Sequence, residues 1–317
     1  MKIVILDAAT IQGKDLAWTE MAQMGELTVF QQSPEAEIAA RAAGATALLT
    51  NKAPIPRSLI ESLPELGYIG VLATGYNTVD LEAARDSGIP VTNVPAYGSE
   101  AVAQHAFALI LNHANRLSLH LQGTRNGEWA RQKQWTYTQK PMQELLGKTL
   151  GIIGLGNIGQ KTAALGLAFG MQVIAHNRSP REMAGIEMVS LDTVFEKSDF
   201  LSLHCPLTAE NHAFVNQARL RQMKPTAMLI NTARGPLVDE DALLAALTSG
   251  EIEAAGLDVM VKEPADSDHP LLHVPNCYIT PHNAWGARET RQRLMDIATE
   301  NLRSWQTGKP VNVVNGL

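Results

Sequence analysis

The chain has 317 residues, 45% of them hydrophobic and 18% charged, with a net charge of -6. At about 150 residues per domain that length predicts two domains, and the composition excludes disorder and fibrous repeats. The acidic balance supplies no basic field for a nucleic acid backbone, and two cysteines, Cys205 and Cys277, cannot build a disulfide framework or a zinc site alone. No metal site is expected. The apolar run in MKIVILD is too short for a signal peptide, and no stretch is long enough to span a membrane. The expectation is a cytoplasmic protein with no membrane or nucleic acid partner.

In chain order, short β-type runs alternate with helical patterns. Lys2–Leu6 reads as a strand, followed by a helical stretch around Leu16–Met24. Leu27–Phe30 is a second strand, and an Ala-rich helix follows near Ala36–Ala43. Strands at Ala47–Thr50, Tyr68–Ala73 and Pro90–Val94 continue the series, with helices at Ser58–Leu63 and Leu81–Ser87 between them. Such alternation predicts a parallel sheet covered on both faces. After Val94 the rhythm changes. Ser99 can cap a helix with Glu100 in its first turn, and Ala101–Gln122 then runs long and apolar. The polar stretch Gly127–Pro141, with Trp129, Trp135 and Tyr137, reads as an irregular arm.

A second series begins at Thr149. Its strands are Thr149–Ile153, Gln172–His176, Phe200–His204, Ala227–Asn231, Glu253–Asp258 and Tyr278–Thr280. Gly170 and Gly250 stand where helices end. Leu294, Ile297, Ala298, Leu302 and Trp305 then share one face of a final helix.

The strand Thr149–Ile153 leads straight into Gly154-Leu155-Gly156-Asn157-Ile158-Gly159 and a helix, so this GxGxxG has the context that gives it meaning. Gly154 allows the tight turn, Gly156 lets a pyrophosphate approach the backbone, and Gly159 lets helix and strand pack. Exposed N–H groups and the helix dipole favour phosphate. The bland alternative is a turn shaped by three glycines. The acid expected to hold the ribose should follow about 20 residues on. Asn177, 18 residues past Gly159, stands there, followed by Arg178 and Ser179. An acid would repel a 2′-phosphate, whereas Arg178 and Ser179 can bind one. This leans towards NADP, alone or beside NAD. The alternative is plain NAD with Arg178 as a solvated charge.

The chain as a whole resembles the D-isomer-specific 2-hydroxyacid dehydrogenases, and within them the glycerate dehydrogenase (hydroxypyruvate reductase) branch. The resemblance rests on ordered motifs: VLATGYNTVD (71–80), NVPAYGSEAVAQHAFALIL (93–111), GIIGLGNIG (151–159), LHCPLT (203–208), MLINTARGPLVDE (228–240), AGLDVMVKEP (255–264) and ITPHNAW (279–285). It implies two α/β Rossmann-like domains with parallel sheets. A flavodoxin-like substrate domain (1–98 plus 286–317) would hold an inserted NAD(P)-binding Rossmann domain (99–285). It also implies a homodimer built partly on the long helix and arm after Ser99.

The family's catalytic residues fall on Arg234 in NTARG, Glu263 in VKEP and His282 in TPHNAW. A guanidinium can grip the carboxylate and keto oxygen of a 2-oxo acid. Histidine can pass a proton near neutrality, and a carboxylate neighbour favours the imidazolium needed for reduction. Thr74 and Gly75 match the turn whose N–H groups hold the substrate carboxylate, and Trp285 can close over a small substrate. Asn157 and Ile158 match pyrophosphate contacts. His204, Cys205 and Pro206 match a loop beside the adenosine. Thr232 and Ala233 match the nicotinamide side, and Asp258 the acid that bonds the carboxamide. Val102 is placed near the nicotinamide, with ordinary helix packing as its equal alternative. The implied reaction is reduction of hydroxypyruvate or glyoxylate with NAD(P)H, with domain closure excluding water. A sibling acting on another D-2-hydroxy acid such as D-lactate, and a non-catalytic dinucleotide-sensing protein, are the competing readings.

Overall fold

In the computed structural model, which describes residues 1–179 and 181–317, the chain divides into two compact units. The first comprises Met1–Gly98 and Trp285–Leu317, and the second Ser99–Ala284.

The first unit is built on the short apolar runs near the N-terminus. They form β1 (Lys2–Ile5), β2 (Glu26–Val29), β3 (Ala47–Thr50), β4 (Tyr68–Val71) and β5 (Val91–Thr92). All five pair in parallel, in the order β2-β1-β3-β4-β5. This is the flavodoxin-like order, with the direction of growth reversing between β1 and β3. Strands β3 and β4 are buried along their whole length because helices cover both faces. The last helix, Arg288–Gln306, returns to this sheet. Its Leu294, Met295, Ala298 and Leu302 recur at helical spacing and bury against Ile3, Ile5, Leu49 and Tyr68. Each such leucine contributes about 1.5–3 kcal/mol of burial. Trp305 ends the stripe 5.2 Å from the Tyr68 ring.

The second unit carries seven parallel strands. They are β6 (Thr149–Ile153), β7 (Gln172–His176), β8 (Ile186–Met188), β9 (Phe200–Leu203), β10 (Met228–Asn231), β11 (Ala254–Leu257) and β12 (Cys277–Ile279). Their order is β12-β11-β10-β9-β6-β7-β8, so the direction reverses between β6 and β9, where this sheet type binds ligands. Side chains of β9 and β10 alternate between two cores. Leu201 and Leu229 meet Phe195, Leu220 and Leu243 on one face, while Phe200 and Ile230 meet Phe107, Ile110 and Ala163 on the other. Helix ends follow ordinary cap chemistry. Asp239 accepts the Ala242 N–H at 3.0 Å to start Glu240–Ser249, and left-handed Gly250 ends it.

Three elements depart from the sequence pattern. The long helix after Ser99 is two helices, Ser99–Ala114 and Leu117–Arg125, broken at left-handed Arg116 (φ 51°). Tertiary partners hold that strained residue: its guanidinium pairs with Glu253 and donates to Pro141 O and His113 Nδ1. β8 is a strand that the pattern does not announce, since IEM is short, edge-on and only half-buried. The helical stretch around Leu16–Met24 is reduced to the single turn Thr19–Ala22. Among the described residues no helix is long and apolar enough to cross a membrane, and no cluster of His, Cys, Asp or Glu could hold a metal ion.

Candidate active site

The glycine turn follows β6 at the point where the sheet order reverses. Gly154 has φ 97°, and a Cβ there would lie 2.6 Å from the Cys205 backbone nitrogen. A Cβ on Gly159 would lie 2.1 Å from Gly154 O. Both positions therefore demand glycine for close packing. Gly156 is different. Among the described residues nothing lies within 4 Å of its missing side chain, and it starts the twelve-residue helix Asn157–Ala168. The turn thus offers open space one residue ahead of a helix N-terminus, with Asn157 and Ile158 in the first turn.

Beside it opens a cavity of about 490 Å³. Its walls include Gly154 and Gly156, then Asn177, Arg178 and Ser179 after β7, then His204, Cys205 and Pro206 after β9. Asn177 also works inside the wall. Its Oδ1 accepts the Leu155 N–H at 3.0 Å and its Nδ2 donates to Ser179 O at 2.6 Å, so it ties the glycine turn to the loop after β7. Sequence reasoning missed Arg181 and Glu210, which line the same cavity. Arg181 donates to Leu155 O at 3.3 Å. The Glu210 carboxyl is held below the usual range by a hydrogen bond from Thr208, with a smaller contribution from the charge of Arg178. Each is a lone charged residue outside any motif, with no sequence signal to distinguish it from a solvent-facing one.

Unpartnered polar atoms in this wall and after β10 fit a dinucleotide. His204 Nε2 meets Ser202 Oγ at 2.9 Å, while its Nδ1 is buried without a partner among the described residues. Burial pushes this imidazole down to about 3, so it is neutral at working pH. Thr232 Oγ1, after β10, is likewise buried and unpartnered. Buried polar atoms normally find partners, and a ribose or amide would satisfy these two. Burial raises the Cys205 thiol above its ordinary value, which suits a wall residue and not a nucleophile. Val102 is buried on the helix Ser99–Ala114, and Ala233 donates its N–H to Asn231 Oδ1 at 3.0 Å.

Arg234, Glu263 and His282 follow β10, β11 and β12, three neighbouring strands, and so emerge at one edge of the sheet. Arg234 is exposed, and its backbone carbonyl accepts Asn231 Nδ2 at 2.9 Å. The next residue, Gly235, sits so close to the Glu263 loop that a Cβ would lie 2.0 Å from Met260 C and O. Glu263 Oε1 accepts the Met260 N–H at 3.0 Å, and its Oε2 accepts His282 Nδ1 at 2.6 Å. His282 itself has φ 52°, in the left-handed region. Buried Asp258 holds that turn. Its oxygens accept the Asn283 and Ala284 N–H groups at 3.0 and 2.9 Å and the Thr280 hydroxyl at 2.6 Å. That uses three of its roughly four acceptor sites.

The remaining residues of interest lie in the first unit. Thr74 and Gly75 follow β4. Thr74 Oγ1 donates to Val94 O at 2.9 Å and its carbonyl accepts Asn93 Nδ2 at 2.8 Å, which pins the turn to the loop after β5. Trp285 belongs to this unit, packed edge-on against Tyr97 at 6.2 Å.

Residues 107–284 match the model of the D-isomer specific 2-hydroxyacid dehydrogenase NAD binding domain. A hydroxypyruvate reductase of Blautia hydrogenotrophica is 42% identical, over 99% of this chain and 100% of that one. The TT0316 protein of Thermus thermophilus superposes with a TM-score of 0.91 at 38% identity, covering 99% of this chain and 100% of that one. An NADPH-dependent glyoxylate/hydroxypyruvate reductase of Sinorhizobium meliloti, solved with NADP and malonate, gives a TM-score of 0.84 at 32% identity, covering 99% and 96%. The chain belongs to the D-isomer specific 2-hydroxyacid dehydrogenases, NAD(P)-dependent oxidoreductases that act on CH–OH groups.

Proposed function

We propose that the chain reduces hydroxypyruvate to D-glycerate, with glyoxylate as a second substrate. The observation that carries the reading is the Glu263–His282 pair, 2.6 Å apart on the loops after β11 and β12, with Arg234 on the loop after the neighbouring β10. The names of the hydroxypyruvate and glyoxylate reductases it resembles support the substrate class.

In this reading Arg234 and the N–H groups of Thr74 and Gly75 bind the substrate carboxylate. Arg234 also polarises the keto oxygen. The cofactor that this wall would hold, a reduced nicotinamide, would supply the hydride. His282 delivers a proton from Nε2 to the developing alkoxide, which completes the hydroxy acid. Glu263, accepting from Nδ1–H, keeps the ring in the orientation that aims Nε2 at the substrate. Trp285 shapes the substrate end. Thr232, Ala233 and Asp258 would hold the nicotinamide end of the cofactor.

The cofactor reading favours NADPH, alone or beside NADH. It is supported by Arg178 and Ser179 in the cavity wall and by an amide, not an acid, at Asn177. A homodimer in the cytoplasm completes the proposal. Supporting it is an apolar groove of about 550 Å³ between the helices Ser99–Ala114 and Asn157–Ala168, floored by Phe107, Leu165 and Phe169. Light scattering on the eluting protein reads the oligomeric state directly. The function itself is tested by a panel of 2-oxo acids assayed with both reduced cofactors. Hydroxypyruvate and glyoxylate are expected to lead. A preference for pyruvate would replace this reading with a D-lactate dehydrogenase, and no turnover of any 2-oxo acid would leave only a sensing protein.

A further inference from the structure

A polar path runs from the helix Ser99–Ala114 to the turn that carries His282. His105 Nε2 lies 2.9 Å from Thr280 Oγ1 and 3.6 Å from Asp258 Oδ1. Thr280 Oγ1 lies 2.6 Å from the same Asp258 oxygen. Asp258 then receives the two backbone N–H groups that directly follow His282. Asp258 is 2% exposed and takes donors on both oxygens. In the 2.6 Å contact the Thr280 hydroxyl donates to Asp258 Oδ1. Its oxygen is then an acceptor for His105, and the imidazole proton sits on Nε2.

This arrangement resolves a choice that the Thr280 hydroxyl would otherwise face. Leu257 O lies 3.5 Å from the same Oγ1 and is a second acceptor within its reach. With His105 donating to its lone pair, the hydroxyl hydrogen is directed to Asp258. Without that donor the hydroxyl can turn to Leu257 O, and the carboxylate loses one of the three bonds that fix it. The turn it holds is strained, with His282 at φ 52°, and such a conformation persists only where its surroundings fix it.

We propose that His105 is a positioning residue for proton transfer: it sets the Thr280 hydroxyl on Asp258 and thereby the backbone of the His282 turn. The inference rests on the reading of His282 as the proton donor. A purely space-filling His105 is the alternative, since its side chain packs against Thr280 whatever its hydrogen bonds do.

The two are separated by isosteres. In the purified full-length enzyme, hydroxypyruvate reduction is followed at saturating NADPH or NADH for His105→Leu, His105→Asn, His105→Gln, Thr280→Val and the double variant His105→Leu/Thr280→Val. A Gln amide nitrogen reaches the Nε2 position, and an Asn amide does not. The expected result, at saturating cofactor, is a kcat about 10-fold lower for Leu and Asn, with Gln within about 3-fold of wild type. Thr280→Val is expected to lose about as much, and the double variant no more than either single one, because both break one path. Wild-type kcat in His105→Leu or Thr280→Val, equal loss in Asn and Gln, or losses that multiply in the double variant overturns the proposal. If His105→Leu fails to fold, the Asn/Gln pair and Thr280→Val decide. His282→Ala is run alongside. Retained turnover there refutes the proton-donor reading, whereas an inactive His282→Ala with fully active His105 variants refutes only the positioning role.

Discussion

Glu263 Oε2 and His282 Nδ1 stand 2.6 Å apart, and the other Glu263 oxygen is anchored by the Met260 N–H. The carboxylate is therefore held from its own loop and holds the imidazole of the next. Replacing it by Gln preserves the size, removes the charge and leaves one acceptor oxygen where two donors are now served. Glu263→Gln is expected to lower kcat by about 10²-fold, and His282→Ala by about 10²- to 10⁴-fold, with smaller changes in cofactor KM. Steady-state kinetics with hydroxypyruvate provide the check. Undiminished kcat in Glu263→Gln would show that the pair does no more than pack.

Asn177 joins the glycine turn to Ser179 through both ends of its amide. Aspartate at this position can still accept the Leu155 N–H, so the turn should survive. It cannot donate to Ser179 O, and its charge would oppose a 2′-phosphate held by Arg178. The ratio of kcat/KM for NADPH over NADH is expected to fall about 10-fold or more in Asn177→Asp. An unchanged ratio, or a wild-type enzyme with overwhelming NADH preference, would sink the phosphate-binding role of Arg178.

Gly235 faces backbone, not a yielding side chain. A Cβ there would lie 2.0 Å from Met260 C and O, so the Arg234 and Glu263 loops must separate in Gly235→Ala. The expected cost is about 1–3 kcal/mol of stability, together with a lower kcat. A melting curve and a kinetic assay on the same preparation test both. Unaltered melting would mean that the two loops do not need this contact.

His113 is fully buried and stays neutral, pushed down to about 4 by burial first and then by the charge of Arg116, which donates to its Nδ1 at 3.0 Å. His204 is depressed further, to about 3. The unfolded chain takes up both protons near pH 6.5, about where histidine ordinarily titrates. Between about pH 6.5 and 4 the unfolded state thus binds more protons, and stability is lost as pH falls through that window. His113→Gln keeps an acceptor for Arg116 without titrating. Its melting temperature is expected to change less between about pH 7 and pH 4.5 than that of the wild type. An equal or steeper change would remove His113 from the account of acid sensitivity.

Local pattern was enough for much of the architecture. Strands β3, β4, β9, β10 and β11 are buried along their length, so each reads as a short apolar run. The glycine turn is equally local, because a strand, three glycines and a helix lie consecutively in the chain. The break at Arg116 has no such signature. No glycine or proline marks it, and the residue is held left-handed by Glu253, which is 137 positions away. β8 is short and polar, and only pairing with β7 makes it a strand.

The sequence by itself determined the alternating α/β architecture, the dinucleotide turn and the family to which the ordered motifs point. Those depend on residue types within a few positions of one another, where helix and strand periods operate. The tertiary structure alone decided that Gly235 must be bare, that Asn177 is bonded at both ends of its amide, and that His105 reaches Thr280 across 175 positions. The Gly235–Met260, Asn177–Leu155 and His105–Thr280 contacts join loops or elements brought together by the fold, and a close approach of about 2–3 Å across such a gap leaves no trace in local spacing.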